Sequence, residues 1–560
     1  MDCREIILSN EYADFIFNNV DAILDQEEYN LQCVELAGYR YGIGHYRLEN
    51  QRLDYGRFPY NIMPKVYGLM DQTSLEETGV IKIQRQPYLS LRGQGVMIGF
   101  VDTGIQYENP IFQNEDGTTK IFSIWDQTLQ TGSPPNGFLY GREYTSEEIN
   151  EALQSDVPRE LVETTDELGH GTFLAGISAG KENISEDFIG VAPDAQLVVV
   201  KLKPMKENLR DFYKISKDAV GFQENDIMMG VKYLTTKARE AGKPLVICIG
   251  VGTNQGGHNG EGNLSQLLND LSTYVGKCVV IAGGNEGNEG KHFFMEEENK
   301  EEYETVEINV GDNESGFLME LWGNNPNTYS IAIESPSGKL YPRIPVQTTS
   351  TVEANFVLDG TKVFVNYGFV EAQTGNQFIA LRFQTPARGI WRLRVYSTDT
   401  FERSFHIWLP ITNFVSEDTF FIRSEPNVTI TEPGNARGPI TVGAYNHYNN
   451  SVWLHSSRGF TRAGVVKPEI VAPGVQVYGP LLNEQFSYQS GSSYSAAFVA
   501  GMCAMMLEWG IVKGNDVSLD TILIKNSLIR SATRQSNINY PNESFGYGIV
   551  NIFQSFQQLV

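Results

Sequence analysis

Positive charge is in short supply in this 560-residue sequence: 43 lysines and arginines face 68 aspartates and glutamates, a formal net charge of −25. That balance argues against a nucleic-acid binder and predicts a soluble, self-repelling surface. Long hydrophobic runs are missing too. The first residues, Met1 to Phe15, have an acid at the second position and no apolar core of signal-peptide length, which predicts a cytosolic product when made. The most apolar stretch, Ala496 to Val512, is broken by Glu508 and falls short of the roughly 20 residues of a membrane span. Cysteine is sparse. The five present (Cys3, Cys33, Cys248, Cys278 and Cys503) are odd in number and scattered, with neither a disulfide framework nor zinc-ligand spacing. Histidines number only seven, so few side chains compete for a general-base role.

What is present is material for a large core: 41% hydrophobic and 11% aromatic residues, in a chain too long for one ordinary domain, predict a globular protein of several units. Residues 1 to about 72 mix helical and strand-like patterns and read as a small α/β unit with a polar exit. From Gly93 the texture changes. Val96 to Val101 reads as a buried strand ending at Asp102, with Thr103 and Gly104 turning the chain away. An acid at the carboxyl end of a parallel strand lies where open α/β sheets place their chemistry, although a turn aspartate fits as well. Gly169-His170-Gly171-Thr172 then opens a packed helix, with glycines on both sides of the histidine allowing close backbone approach.

Strands and helices alternate from Ala195 to Gly287, the texture of a doubly wound parallel sheet. The last strand ends in Gly284-Asn285-Glu286-Gly287, where the Asn285 amide can either donate to an oxyanion or form a turn. Asn285 and Ser493 lie 208 positions apart, far more than a βα loop needs. Much of that interval is short alternating segments punctuated by Gly, Pro and Asn, which predicts an inserted β-sandwich over about residues 291–425. The α/β texture then resumes and reaches Ser490 to Gly501. There Gly491 permits close approach, Ser492 is a fair N-cap, and Ser493 sits in the first turn of an all-round apolar helix. Free N–H groups and the positive end of the dipole lie there, so a serine can attack a carbonyl while nearby donors receive the oxyanion. A serine pair that simply caps a core helix is the competing reading.

The order Asp102, His170, Ser493, in the contexts VDTG, GHGT and GSS before a small-residue helix, resembles the subtilisin-like serine proteases. IAGGNEG resembles their oxyanion-asparagine segment, and KPEIVAPG and FGYG resemble supporting segments. The short N-terminal unit, the YGLMDQTSLEETGV junction, the β insertion and the GTNQGGHNG segment further resemble the clostridial Csp germination proteases, in which a prodomain precedes a subtilase domain interrupted by a jelly-roll. The resemblance implies a prodomain over 1–72, a subtilase domain split into 73–290 and 426–560, and a jelly-roll over 291–425. It implies that Ser493 is the nucleophile, His170 the general base and acid, Asp102 the orienting acid, and Asn285 with the Ser493 N–H the oxyanion hole. Substrate is expected to pair as an added strand along Gly250-Val251-Gly252, with a pocket around Gly283. No metal or organic cofactor is required. The prodomain is expected to act as chaperone and inhibitor and to be cut by the enzyme near Gln72.

Several positions depart from the family pattern. Ser492 stands where threonine is usual, Tyr494 for methionine, Ala497 for proline, Gly250 for serine and Cys248 for asparagine. Three functions follow as alternatives. The first is a limited-specificity endopeptidase that activates a spore-cortex-lytic enzyme precursor in germination. The others are a catalytically silent regulatory partner working with Csp-like proteins, and a general intracellular subtilase. The expected partners are a protein substrate and the protein's own prodomain; the expected location is the cytoplasm, with packaging in the spore on the germination reading.

Overall fold

In the computed structural model, residues 2–18, 31–38, 40–48, 52–69, 80–84, 90–296, 302–346, 351–398 and 403–559 are described. The expected cut near Gln72 lies outside them.

The central sheet is built from strands apolar along their whole length. Leu245–Ile249 is buried at every position and pairs in parallel on both sides, Ile247 facing Gly99 on one neighbour and Val279 on the other. A strand buried on both faces needs such an unbroken apolar run. Its side chains alternate: Val246 and Cys248 enter the layer of the Ser492–Leu507 helix, whereas Leu245, Ile247 and Ile249 enter the layer of the Glu224–Glu240 helix. The nine strands run in the order Ser451–Val452, Ile440–Asn446, Lys277–Ala282, Leu245–Ile249, Met97–Asp102, Gln196–Lys201, Ile121–Asp126, Arg142–Thr145, with Ile470–Pro473 also on Ile440–Asn446. Only the short strands Ser451–Val452 and Arg142–Thr145 run antiparallel. The winding direction reverses between Met97–Asp102 and Leu245–Ile249, the point at which open α/β sheets place a site at their carboxyl ends.

The inserted β domain is a sandwich of a six-stranded and a five-stranded antiparallel sheet, running from His292–Glu296 to Phe420–Phe421. Period-two burial makes it: in Gly389–Ser397, Trp391, Leu393 and Val395 point into the shared core. The N-terminal unit is a three-stranded sheet, Tyr12–Phe17, Gly42–Arg47 and Leu31–Leu36, preceded by the helix Cys3–Leu8 with an Asp2–Glu5 capping box.

Two expectations need correction. Cys3 and Cys33 form a disulfide, their Cα atoms 5.6 Å apart. They are 30 residues apart, and only the packing of the first helix on Leu31–Leu36 brings them together; Cys248, Cys278 and Cys503 are buried thiols. The apolar stretch near the C-terminus is also longer than its sequence suggested. The helix continues through Glu508 as a π turn to Val512 and is, among the described residues, long and apolar enough to cross a membrane. It is a core helix: every residue from Ser492 to Leu507 is buried, and the Glu508 carboxylate accepts N–H bonds from Arg92, Gly93 and Gln94 at 2.8, 2.7 and 3.2 Å.

The three parts meet around buried charge. Lys65, at the exit of the N-terminal unit, is 5% exposed, with its ammonium 3.9 Å from Glu224. Glu432, from the second half of the sheet domain, and Glu320 and Glu371, from the β domain, are buried around the same cation. Burial works against its charge, but these glutamates, Glu224 first, hold Lys65 above its ordinary value. Tyr60 donates to Glu320 at 2.8 Å and packs against Trp322 and Phe378 of the β domain. On the other flank of the N-terminal sheet, Asp14 accepts from Lys206 at 2.6 Å and from Gln223 at 2.8 Å, with the His45 ring 2.7 Å away.

Candidate active site

Asp102 ends its strand at the winding reversal, 1% exposed, and its Oδ1 accepts the Thr103 N–H at 2.8 Å. His170 opens the helix His170–Ala179, whose N-cap Gly169 has φ +84°, the left-handed region that favours glycine. Gly171 is required for another reason. A Cβ there would stand 2.2 Å from the Gly104 carbonyl oxygen, so only glycine lets this helix lie against the Asp102 turn.

Asp166, which sequence reasoning passed over, holds the helix start. Its Oδ1 accepts the Gly169 N–H at 2.8 Å, and its Oδ2 accepts the Thr172 N–H at 2.9 Å and hydroxyl at 2.8 Å. An acid a few residues ahead of an apolar helical run was the available signal.

These constraints bring three distant residues together. His170 Nδ1 lies 2.7 Å from Asp102 Oδ1, and Nε2 lies 3.1 Å from Ser493 Oγ. With Nδ1–H donating to the carboxylate, Nε2 is the lone-pair nitrogen and accepts from the serine hydroxyl. Ser493 is the second residue of its helix and fully buried beneath the described chain. The adjacent Ser492 ties that helix to the asparagine loop. Its hydroxyl oxygen accepts the Gly284 N–H at 3.0 Å, and its own N–H donates to Asn285 Oδ1 at 3.1 Å. An N–H can bond only the amide oxygen, so this contact fixes the Asn285 side chain with its donor end turned from Ser492. Tyr494 is tucked inward at 2% exposure, its ring 4.6 Å from Phe173 and 5.8 Å from His170.

The glycines expected to bind substrate have different surroundings. Val251 and Gly252 pair antiparallel with Leu69 and Gly68, and Val66 and Tyr67 of that partner strand pair on its other side with Gln223 and Phe222. The chain's own Val66–Leu69 therefore lies as a strand on the edge expected to receive substrate. Gly250 instead backs the histidine: a Cβ there would be 2.8 Å from Leu174, 3.1 Å from His170 Cε1 and 3.2 Å from Asp102 Oδ2. Gly283 spends its backbone inside the fold, donating to Val442 at 2.9 Å and accepting from Thr431 at 3.0 Å.

The model of the subtilase family matches residues 93–315 and 411–548. The chain belongs to the subtilase family. The gap in the match falls within the inserted β domain. This subtilase is similar to the CspB protease of Clostridium perfringens, a solved structure with 31% identity and a TM-score of 0.77 that covers 86% of this chain and 96% of its own. It is 21% identical over 470 residues to the C5a peptidase of Streptococcus pyogenes, covering 79% of this chain but only 38% of that protein. Thermitase of Thermoactinomyces vulgaris is 23% identical over 282 residues, half of this chain and 76% of its own. A subtilase is a serine peptidase, and the 2.7 and 3.1 Å contacts of His170 are consistent with a catalytic triad.

Glu286, beside Asn285, was also missed by sequence reasoning. It accepts from the Thr412 N–H at 3.3 Å and hydroxyl at 3.1 Å, and burial pushes its carboxyl up to about 7, against the pull of Lys291. A carboxyl raised in the folded state lends stability fully below its unfolded value of about 4.5 and loses it as pH rises through 7, on the order of 3 kcal/mol in all. The Glu286→Gln subtilase is therefore expected to show a flatter melting temperature between pH 4.5 and 7.5 than the parent. Parallel profiles for the two proteins would refute this.

Proposed function

We propose that this chain is an endopeptidase of limited specificity that cuts its own N-terminal unit and then a protein substrate. The observation that carries the reading is the single imidazole within hydrogen-bond reach of both a buried carboxylate and a helix-start serine hydroxyl. Ser493 Oγ attacks the scissile carbonyl as His170 Nε2 takes its proton. Asp102 holds the tautomer and stabilises the imidazolium, and the proton then goes to the leaving amine. Asn285 and the Ser493 N–H receive the oxyanion, and Asn285→Ala is expected to lower turnover about 10²–10³-fold.

Autoprocessing is supported by the Val66–Leu69 strand, which lies on the Val251–Gly252 edge expected to receive substrate. Tyr494 does not argue for a silent protein, because its ring packs inward against Phe173.

The physiological substrate we propose, from the similarity to CspB, is the precursor of a spore-cortex-lytic enzyme. The catalytic test is stoichiometric labelling by a fluorophosphonate, expected on Ser493 and lost in His170→Ala. A wild-type protein that takes up no label would leave the regulatory reading in its place. Incubation with the precursor, scored by its mass shift, tests the substrate separately.

A further inference from the structure

A cleft of about 680 Å³ opens at the amino ends of the central strands, beside Pro244 and Lys277, at the opposite end of the sheet from Asp102, Gly250 and Asn285. Its size is that of a small-molecule site. Its walls are of two kinds. Tyr41, Leu267, Leu271, Ile511, Val275 and Val517 give an apolar interior and mouth, with Val275 and Val517 58% and 67% exposed. Around them stand five cations, Arg40, Lys232, Arg239, Lys243 and Lys277, and one carboxylate, Asp270, already paired with Arg40 at 3.4 Å.

Such a concentration of positive charge is out of keeping with a chain of net charge −25. Arg239, in the last turn of the Glu224–Glu240 helix, complements the helix dipole. Lys277 has no such reason: it opens a strand, no acid lies within ion-pair distance among the described residues, and Arg239 repels it. Burial, then Arg239, push Lys277 down to about 8. Among the described residues the Lys243 ammonium bonds only the neutral Gln196, at 2.8 Å. Lys243 and Lys277, partly buried and with no acid paired to either among the described residues, cost free energy that a bound anion would relieve.

We infer that this cleft binds a soluble organic anion: an apolar body of two or three rings, or an equivalent chain, seated between Tyr41 and Leu267, with one carboxylate or sulfonate against Lys277 and Arg239. Ala37, Gly38, Arg40 and Tyr41 of the N-terminal unit form one wall and the sheet domain forms the others, so the ligand bridges the two and stabilises their association.

The probe is 8-anilinonaphthalene-1-sulfonate, with uncharged N-phenyl-1-naphthylamine as the same body without its anion. The purified wild-type protein is expected to bind the sulfonate at a single saturable site and to melt at a higher temperature in its presence. Lys277→Glu and the surface variant Arg239→Glu are each expected to weaken that binding at least tenfold while leaving the uncharged probe's binding within twofold. Peptidase activity without ligand should be unchanged in Arg239→Glu, which keeps the test independent of the catalytic reading. Binding that does not saturate at one site, or that is equal in wild type and Arg239→Glu, overturns the inference.

Discussion

Ser493→Ala protein is expected to remain one full-length chain, whereas wild-type protein separates under denaturing conditions into two fragments with a break between about Asp71 and Glu76. The physical reason is that Ser493 Oγ is the hydroxyl His170 Nε2 reaches, at 3.1 Å, whereas the neighbouring Ser492 hydroxyl is turned to the Gly284 N–H. Asp102 is committed to His170, and without the Ser493 hydroxyl the imidazole has no serine proton to take as general base. In the non-additive arithmetic of such triads, removing the nucleophile costs nearly the whole of their contribution, about 10⁶-fold in turnover. The substitution is mild for the fold, since alanine fits the volume and gives up the hydroxyl bond to His170, so melting temperature should stay close to that of the parent. Two full-length chains would remove self-processing and promote the regulatory reading. Two cut chains would mean that another protease makes the break.

Lys65→Met is expected to be the most destabilising single substitution at the seam of the three parts, costing about 3–5 kcal/mol. Methionine keeps the length and apolar stem but leaves Glu224, Glu320, Glu371 and Glu432 buried without the cation they share. Burial already pushes Glu320 and Glu432 up, so the loss should be largest at neutral pH and shrink as the solution is acidified and the carboxyls take protons. Urea unfolding of wild type, Lys65→Met and Lys65→Met with Glu224→Gln at pH 5 and pH 7.5 measures this. The double variant should regain part of the loss at pH 7.5. An unchanged midpoint in Lys65→Met would show that the glutamates do not depend on this cation. Lys65 directly precedes the Val66–Leu69 strand, so its ion pair with Glu224 adjoins the segment that occupies the Val251–Gly252 edge.

The family and the class of chemistry were legible because each catalytic side chain sits in a local context that its backbone demands. Gly171 is glycine because the Asp102 turn passes within contact of its Cα, and the run from Ala496 to Leu507 is apolar on every side because the helix is enclosed on every side. Such requirements are written within a few residues of the group they serve. The period-two texture of the β insertion was legible for the same reason: Trp391, Leu393 and Val395 alternate with solvent-facing neighbours along one strand. Asp166 and Glu286 were not singled out, because an acid near a helix start or beside an asparagine looks like many surface acids until its partners are known.

By itself the sequence determined the subtilisin-like α/β core, the inserted sandwich and the order Asp102, His170, Ser493, all of which depend on periodicity and short-range backbone geometry. Tertiary structure alone decided the Cys3–Cys33 bond, the burial of Lys65 among glutamates from three separate stretches, the placing of Gly250 behind His170, and the cationic cleft at the amino ends of the strands. Each of these joins residues far apart in the chain, and their meeting is set by how whole elements pack, which no single segment encodes.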